Sequence, residues 1–323
     1  MRKGEDAMNP MHQPILFTPQ YRNYIWGGNR LKPGETPVAE AWVIYEKDEV
    51  ASGPLAGRTL ADLAAQYGAG LLGQRAVETT GLRFPLLIKL LDCAKWLSLQ
   101  VHPNDEQAKG LEGVGFFGKT EAWHFFEVEP GAEILCGLHP GTTAEDLAES
   151  IRSGTVVETM QRLVVRAGES IFIPAGTIHA LGPGLLLYEV QQNSDTTYRV
   201  FDWNRPVTKE RPLHIEKSLA VANPEASGKL LPLPELADGS QKTLISCPYF
   251  KLETLAAQSN PILLDRHGES FDALTVVNGS IRIEGDGWEI SLMHYQTVLI
   301  PAGCGPYQIK PAGSYRALRA TVG

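Results

Sequence analysis

At 323 residues the chain is long enough for about two domains and a sizeable core. Its 43% hydrophobic and 20% charged residues exclude a disulfide-stapled miniprotein and wholesale disorder. Lys and Arg number 29 against 37 Asp and Glu, a net charge of −8, and the longest basic run is Arg2-Lys3, which argues against a nucleic-acid partner.

Residues 1–14 lack the apolar core of a secretory signal and are expected to be a flexible tail. Tyr24-Ile25-Trp26-Gly27-Gly28 is an aromatic entry into a tight glycine turn, and Ala39 to Tyr45 predicts a strand. Helical spacing covers Leu60 to Leu72 and Thr143 to Ile151, the second with an acidic first turn after Thr143. Strands are predicted at 84–91, 96–101, 122–127, 163–165, 170–173, 185–191 and 198–203, separated by turns rich in Gly and Pro. Residues 206–218 form a charged connection, 220–236 are rich in Pro and Ala, and a boundary falls near residue 240. The expectation is an all-β dominated chain of two jelly-roll barrels with a few peripheral helices, one over 15–240 and a degenerate one over 241–323.

An internal repeat supports two related units. Ile173-Pro174-Ala175-Gly176 and Ile300-Pro301-Ala302-Gly303 superpose, and each follows what reads as a hairpin, 125–135 in the first copy and 274–283 in the second. In this alignment His179 falls on Pro306, so only the first copy keeps a polar ligand. The four cysteines, Cys93, Cys136, Cys247 and Cys304, have no paired spacing and read as thiols of a reduced compartment. No apolar stretch approaches the roughly 18 residues of a membrane span. A cytoplasmic protein without a membrane partner is the expectation.

Chemistry concentrates in the first copy. Gly168 to His179 has the form Gly-x5-Pro-x-Gly-x2-His, resembling the second motif of cupins, in which a strand and a Pro-Gly turn deliver one imidazole. Upstream, alternation places Trp96, Ser98, Gln100 and His102 on one face and Leu97, Leu99 and Val101 on the other. A carboxylate follows as Glu121. His102, Glu121 and His179, with Gln100 as a neutral donor, suit one divalent ion per chain with a position open to substrate. Lys119, two residues from Glu121, is a candidate acid or base or a salt-bridge partner for it. Arg199 and Lys89 each interrupt an apolar strand and need an anion, either a carboxylate or a substrate.

Together, residues 24–28, 84–91, 97–105, 118–123, 173–181 and 188–205 resemble the type I mannose-6-phosphate isomerases in their short bacterial form, within the cupin superfamily. The resemblance implies zinc held by Gln100, His102, Glu121 and His179, an active-site arginine at Arg199, and motif lysines at Lys89 and Lys119. It implies the interconversion of mannose 6-phosphate and fructose 6-phosphate through a cis-enediol, with a small sugar phosphate as the partner. Longer members carry a histidine where this chain has Gly118, so a proton-carrying role there does not transfer. The rival readings are an iron(II) cupin dioxygenase, because two His and a carboxylate also make an oxygenase triad, and a sugar-phosphate-binding regulator without turnover.

Overall fold

The computed structural model describes residues 10–209 and 211–323. Of the expected tail, residues 1–9 lie outside the described residues; Pro10–His12 form a 3-10 turn that buries Met11, and Ile15 exchanges two backbone hydrogen bonds with Leu299. Strands dominate and helices are few and short. Among the described residues, no helix is long and apolar enough to cross a membrane.

The helical period over 60–72 is realised as Leu60–Tyr67 and Ala69–Leu72, interrupted at Gly68, whose φ of +48° a helix cannot accommodate. Thr143 caps Ala144–Ser153, accepting from the Asp146 amide while the Asp146 carboxylate accepts from the Thr143 amide. Three helices were not anticipated: Gln74–Thr80, Asp105–Leu111 and Ile215–Val221. The second begins with the same reciprocal cap, between Asn104 and Gln107.

The strands repeat one topology. Eight consecutive strands, from Leu86–Cys93 to Leu185–Gln192, divide between two sheets: the first, eighth, third and sixth are neighbours in one, the second, seventh, fourth and fifth in the other. Another eight, from Phe250–Ala257 to Tyr315–Val322, divide in the same order. Both Ile-Pro-Ala-Gly tetrads begin at the last residue of a sixth strand, Ser170–Ile173 in one set and Thr297–Ile300 in the other. The two predicted hairpins are corrected by this order. Glu121–Val128 and Glu133–Leu138 lie in different sheets, as do Asp272–Asn278 and Ser280–Gly285, so each turn carries the chain from one sheet to the other. The hairpin in the second set is instead Ser280–Gly285 with Trp288–Met293.

By contacts the chain forms two compact units, neither a single segment. One comprises Gln20–Trp42 and Leu86–Leu233; the other comprises the described residues through Pro19, with Val43–Pro85 and Pro234–Gly323. Where the sequence suggests consecutive domains divided near 240, residues 43–85 pack with the C-terminal strands. Phe84 lies against Phe271 at 4.6 Å, and a Cβ at Gly73 would fall 2.4 Å from the Glu269 backbone. Within the C-terminal eight strands the facing surfaces are filled by aliphatic and aromatic side chains such as Leu255, Leu274, Ile283 and Ile309.

In the other unit two layers of apolar packing position the site. Between the sheets lie Leu91, Trp123, Phe125, Ile134, Ile171 and Leu187. Behind the five-stranded sheet, Leu99, Val101 and Ala180 pack with Leu147 and Ile151 of one helix and Val221 of another. The predicted alternation along 96–102 therefore holds from Ser98 onward. It breaks before that point, because the regular strand is only Leu99–Val101: Leu97 joins the inner core and Trp96 packs on the outer one.

Candidate active site

Pairing register assembles the polar residues. Gln100 stands opposite His179 on one side and Arg199 on the other, making a row across the five-stranded sheet. In the seven-stranded sheet Lys89, Glu189 and Trp123 make another row, and Glu121 pairs with Gln191 and Ile173. His102 lies just past its strand, where its carbonyl accepts the Gly176 amide at 2.8 Å. The Pro-Gly turn thus joins the two histidine segments.

His102, Glu121 and His179 are each at most 1% exposed, and one donor atom from each lies within 4.8 Å of the others. His179 Nε2 is 3.1 Å from Glu121 Oε1, and His102 Nε2 is 3.6 Å from Glu121 Oε2. Both Nδ1 atoms face backbone carbonyls, His102 that of Thr196 at 3.0 Å and His179 that of Thr177 at 2.9 Å. A carbonyl only accepts, so each Nδ1 carries the hydrogen, which in a neutral ring leaves the Nε2 lone pair as the one a metal would take. The Gln100 carboxamide reaches the same place, 3.3 Å from His179 Nε2.

Lys119 Nζ stands among these groups, 2.6 Å from Glu121 Oε2 and 2.8 Å from His102 Nε2, to which it donates. Burial, reinforced by the Lys119 ammonium, holds the His102 imidazole well below the ordinary histidine range, in its neutral form. Burial alone would raise the Glu121 carboxyl, but the Lys119 ammonium leads the groups that outweigh it and hold the carboxyl well below the usual carboxylate range. Both Glu121 oxygens are buried, Oε2 against the Lys119 ammonium at 2.6 Å and Oε1 3.1 Å from His179 Nε2. A buried carboxylate with two imidazole nitrogens beside it fits a cation, and the ammonium supplies one positive charge there.

The cluster opens into a cleft of about 350 Å³ lined by Tyr24, Trp26, Glu40, Trp42, Asp195 and Thr197, with Lys89, Glu189, Arg199 and Arg211. Lys89 is 5% exposed and lies 2.9 Å from Glu189 and 3.8 Å from Glu40. Burial acts to lower its pKa, but the two carboxylates outweigh that and raise it. Glu189 and Glu40 are themselves held by indole donors, Trp123 Nε1 at 2.9 Å and Trp42 Nε1 at 2.6 Å. Of the two alternatives open for Lys89, a carboxylate partner is what this structure provides.

The glycine turn at the cleft is fixed by close approach. A Cβ at Gly27 would lie 2.6 Å from the Ala39 amide nitrogen, and one at Gly28 would lie 2.3 Å from Asp92 Oδ2, which pairs with Arg30. Gly28→Ala is expected to destabilise the protein by about 1–3 kcal/mol through overpacking and to raise KM by displacing Tyr24 and Trp26; urea unfolding and steady-state kinetics measure both. Gly118 is constrained in the same way. A Cβ there would meet the Asn104 carbonyl carbon at 2.6 Å, which explains why this backbone carries no side chain beside Lys119.

Residues 15–115 match the family model described as phosphomannose isomerase type I, catalytic domain. The chain is 33% identical to mannose-6-phosphate isomerase ManA of Bacillus subtilis (strain 168), over 92% of this chain and 96% of that protein. The chain belongs to the type I phosphomannose isomerase family. A second relative in this family, mannose-6-phosphate isomerase of Streptococcus mutans serotype c, is 37% identical over 74% of this chain and 78% of its own length. The crystal structure of the mannose 6-phosphate isomerase from Bacillus subtilis superposes with a TM-score of 0.83 at 30% identity, covering 95% of this chain and 99% of that one.

Against this type I phosphomannose isomerase background, the structure brings Gln100, His102, Lys119, Glu121 and His179 to one centre and lines the adjoining cleft with Lys89 and Arg199. Glu189 and Glu40 were missed from the sequence. Glu189 carried a usable signal, because it interrupts the apolar strand Leu185–Gln192 just as Lys89 interrupts its own. Glu40 carried the same signal, as the one charged residue of the predicted strand Ala39 to Tyr45.

Proposed function

We propose that this chain is a metal-dependent aldose-ketose isomerase that interconverts mannose 6-phosphate and fructose 6-phosphate, with one zinc ion held by Gln100, His102, Glu121 and His179. The observation that carries the reading is the convergence of two imidazole Nε2 atoms on a buried carboxylate beside Gln100 and Lys119, which line the cleft, in a chain of this family. On the same reading each set of eight strands is a jelly-roll barrel of cupin type, and only the first keeps polar ligands.

The reaction moves a proton between C2 and C1 through a cis-enediol, and the oxygens become more negative as it proceeds. When bound, the ion supplies Lewis-acid stabilisation of that charge. Lys119 is held against His102 and Glu121; loss of a proton from its ammonium would leave a neutral amine able to collect the substrate's proton at one carbon and return it at the other. Arg199 contributes a fixed cation from the strand beside Gln100, and it contacts the charged oxygens of the substrate. Trp26 and Trp42 line the cleft and limit water around these groups.

A coupled assay on mannose 6-phosphate, run before and after chelation, tests the proposal. Turnover that is lost with chelator and restored by zinc supports it; metal-independent turnover removes the ion from the scheme. Oxygen uptake without isomerisation would favour the dioxygenase reading, and ligand-induced stabilisation without turnover the regulator. Arg199→Lys is expected to retain the metal but lower kcat by about 10- to 100-fold, because an ammonium cannot reproduce the planar guanidinium fork. Metal analysis beside steady-state kinetics checks this, and unchanged kinetics would assign Arg199 a structural role.

A further inference from the structure

Arg199 is held in place by a short stretch of chain, residues 212–214, that does not itself line the cleft. The arginine's strand, Tyr198–Phe201, is an edge of the five-stranded sheet: one side pairs with Leu99–Val101, and the other has no strand beside it among the described residues. An edge leaves backbone donors and acceptors open. At Arg199 both are taken by one residue. The Arg199 amide donates to His214 Nδ1 at 3.1 Å, and the His214 amide donates to the Arg199 carbonyl at 2.9 Å. Two residues earlier the Pro212 carbonyl accepts from Arg199 NH1 at 2.8 Å, so the stretch grips the arginine at its backbone and at its guanidinium.

The imidazole is aimed at the strand rather than at its own helix. His214 precedes Ile215–Val221 at the position whose side chain commonly caps the first helical amides, yet it makes no such bond. The helix fixes where the ring stands. Its Ser218 amide donates to the His214 carbonyl at 2.8 Å, and Ile215, Leu219 and Val221 pack with Leu99, Val101 and Tyr198 behind the sheet. Lys217 Nζ and the Tyr198 hydroxyl both donate to Glu112, at 2.7 Å and 2.6 Å, which ties the helix to the strand again. An Nδ1 that accepts carries no hydrogen, so the ring is neutral and protonated on Nε2 alone. Around it stand Arg199 and Tyr198 of the strand, Lys217 of its own helix and Glu112. Burial, followed by the Arg199 and Lys217 charges, lowers the His214 pKa from the ordinary histidine value against the pull of Glu112.

We propose that His214 is a positioning residue for Arg199, holding the arginine at the cleft while its imidazole is neutral and releasing it on protonation. A hydrogen added to Nδ1 sets donor against donor at the Arg199 amide, and the bond at the strand edge is lost. Because folding lowers the pKa of this group, the bond contributes fully above the ordinary histidine range and is lost as pH falls through the lowered value. The proposal rests on the isomerase reading for what Arg199 does to the substrate, and on the hydrogen bonds for how the residue is held. It gives the activity an acid limit that lies outside the ion-binding cluster.

The test follows the Arg199 backbone amide and the His214 ring by NMR of the metal-loaded protein as pH is lowered, with bound metal measured at each point. The amide is expected to move with the His214 titration, and to stay still in His214→Asn, whose carboxamide oxygen accepts from the same amide and does not titrate. In steady-state kinetics on mannose 6-phosphate, His214→Leu is expected to lower kcat by about tenfold with bound metal unchanged. His214→Asn should recover most of that loss and shed the acid limb of kcat. In an Arg199→Lys background the step to His214→Leu should cost less than in the wild type, because the fork it positions is already gone. An Arg199 amide that ignores His214, a wild-type kcat in His214→Leu, or an unchanged acid limb in His214→Asn overturns the proposal. Should His214→Leu not fold, the titration and His214→Asn decide. Coupled titration in a protein that does not turn over mannose 6-phosphate would uphold the hold on Arg199 and remove the proposed substrate.

Discussion

Glu121→Gln, purified alongside the wild-type protein in the presence of zinc, is expected to lose most of its bound metal and at least about 100-fold in kcat/KM, more than the 10- to 100-fold that outer partners of a metal typically control. The reason is charge. Glu121 contributes the only carboxylate oxygens within the cluster of His102, Glu121 and His179, and both are buried. The amide keeps the shape and removes the negative charge. It leaves Lys119, buried at 4% exposure, without its carboxylate at 2.6 Å. Metal analysis and the coupled assay on one preparation provide the readout. A variant with full metal and full activity would place the ion elsewhere or nowhere.

Lys119→Met is expected to reduce kcat by about 10²- to 10⁴-fold, the range associated with a positioned proton-transfer group, while retaining bound metal. Methionine keeps the unbranched stem of the side chain but ends one atom short of the ammonium, and cannot donate to His102 Nε2 or move a proton. Retention of metal separates this role from that of a mere tether for Glu121, because a tether's loss would release the ion along with the activity. Solvent-proton incorporation at C2 during incomplete turnover gives a second readout, which should fall with kcat if Lys119 carries the proton. An unchanged kcat assigns the transfer to another group.

The candidate cluster was legible in the sequence because two local rules place its members. Alternation puts Gln100 on the inner face of a strand whose Leu99 and Val101 pack behind it, and the Pro174-x-Gly176 turn fixes where His179 re-enters. What was not legible depends on register between distant strands. Lys89 reads as an unmatched cation until Glu189, 100 positions later in the chain, is found directly opposite it. Asn278-Gly279 reads as a hairpin turn by its composition, and Gly279 does adopt a φ of +75°, yet the strands on either side join different sheets. The short helix after Asn104 was legible through its capping residues and was overlooked because Pro103 and the polar run around it resemble a loop.

The interleaved units also constrain how this chain is made. Val43–Pro85 belongs with Pro234–Gly323, and all of Leu86–Leu233 is synthesised between them. At translation rates of about 5–20 residues per second, that interval lasts roughly 7–30 s. Throughout it the apolar faces of the early helices, including Leu60, Leu63, Leu71 and Leu72, which are fully buried in the finished protein, await strands that have yet to leave the ribosome. The unit carrying the candidate site can condense first, and the nascent chain then presents a hydrophobic segment that suits capture by a holding chaperone.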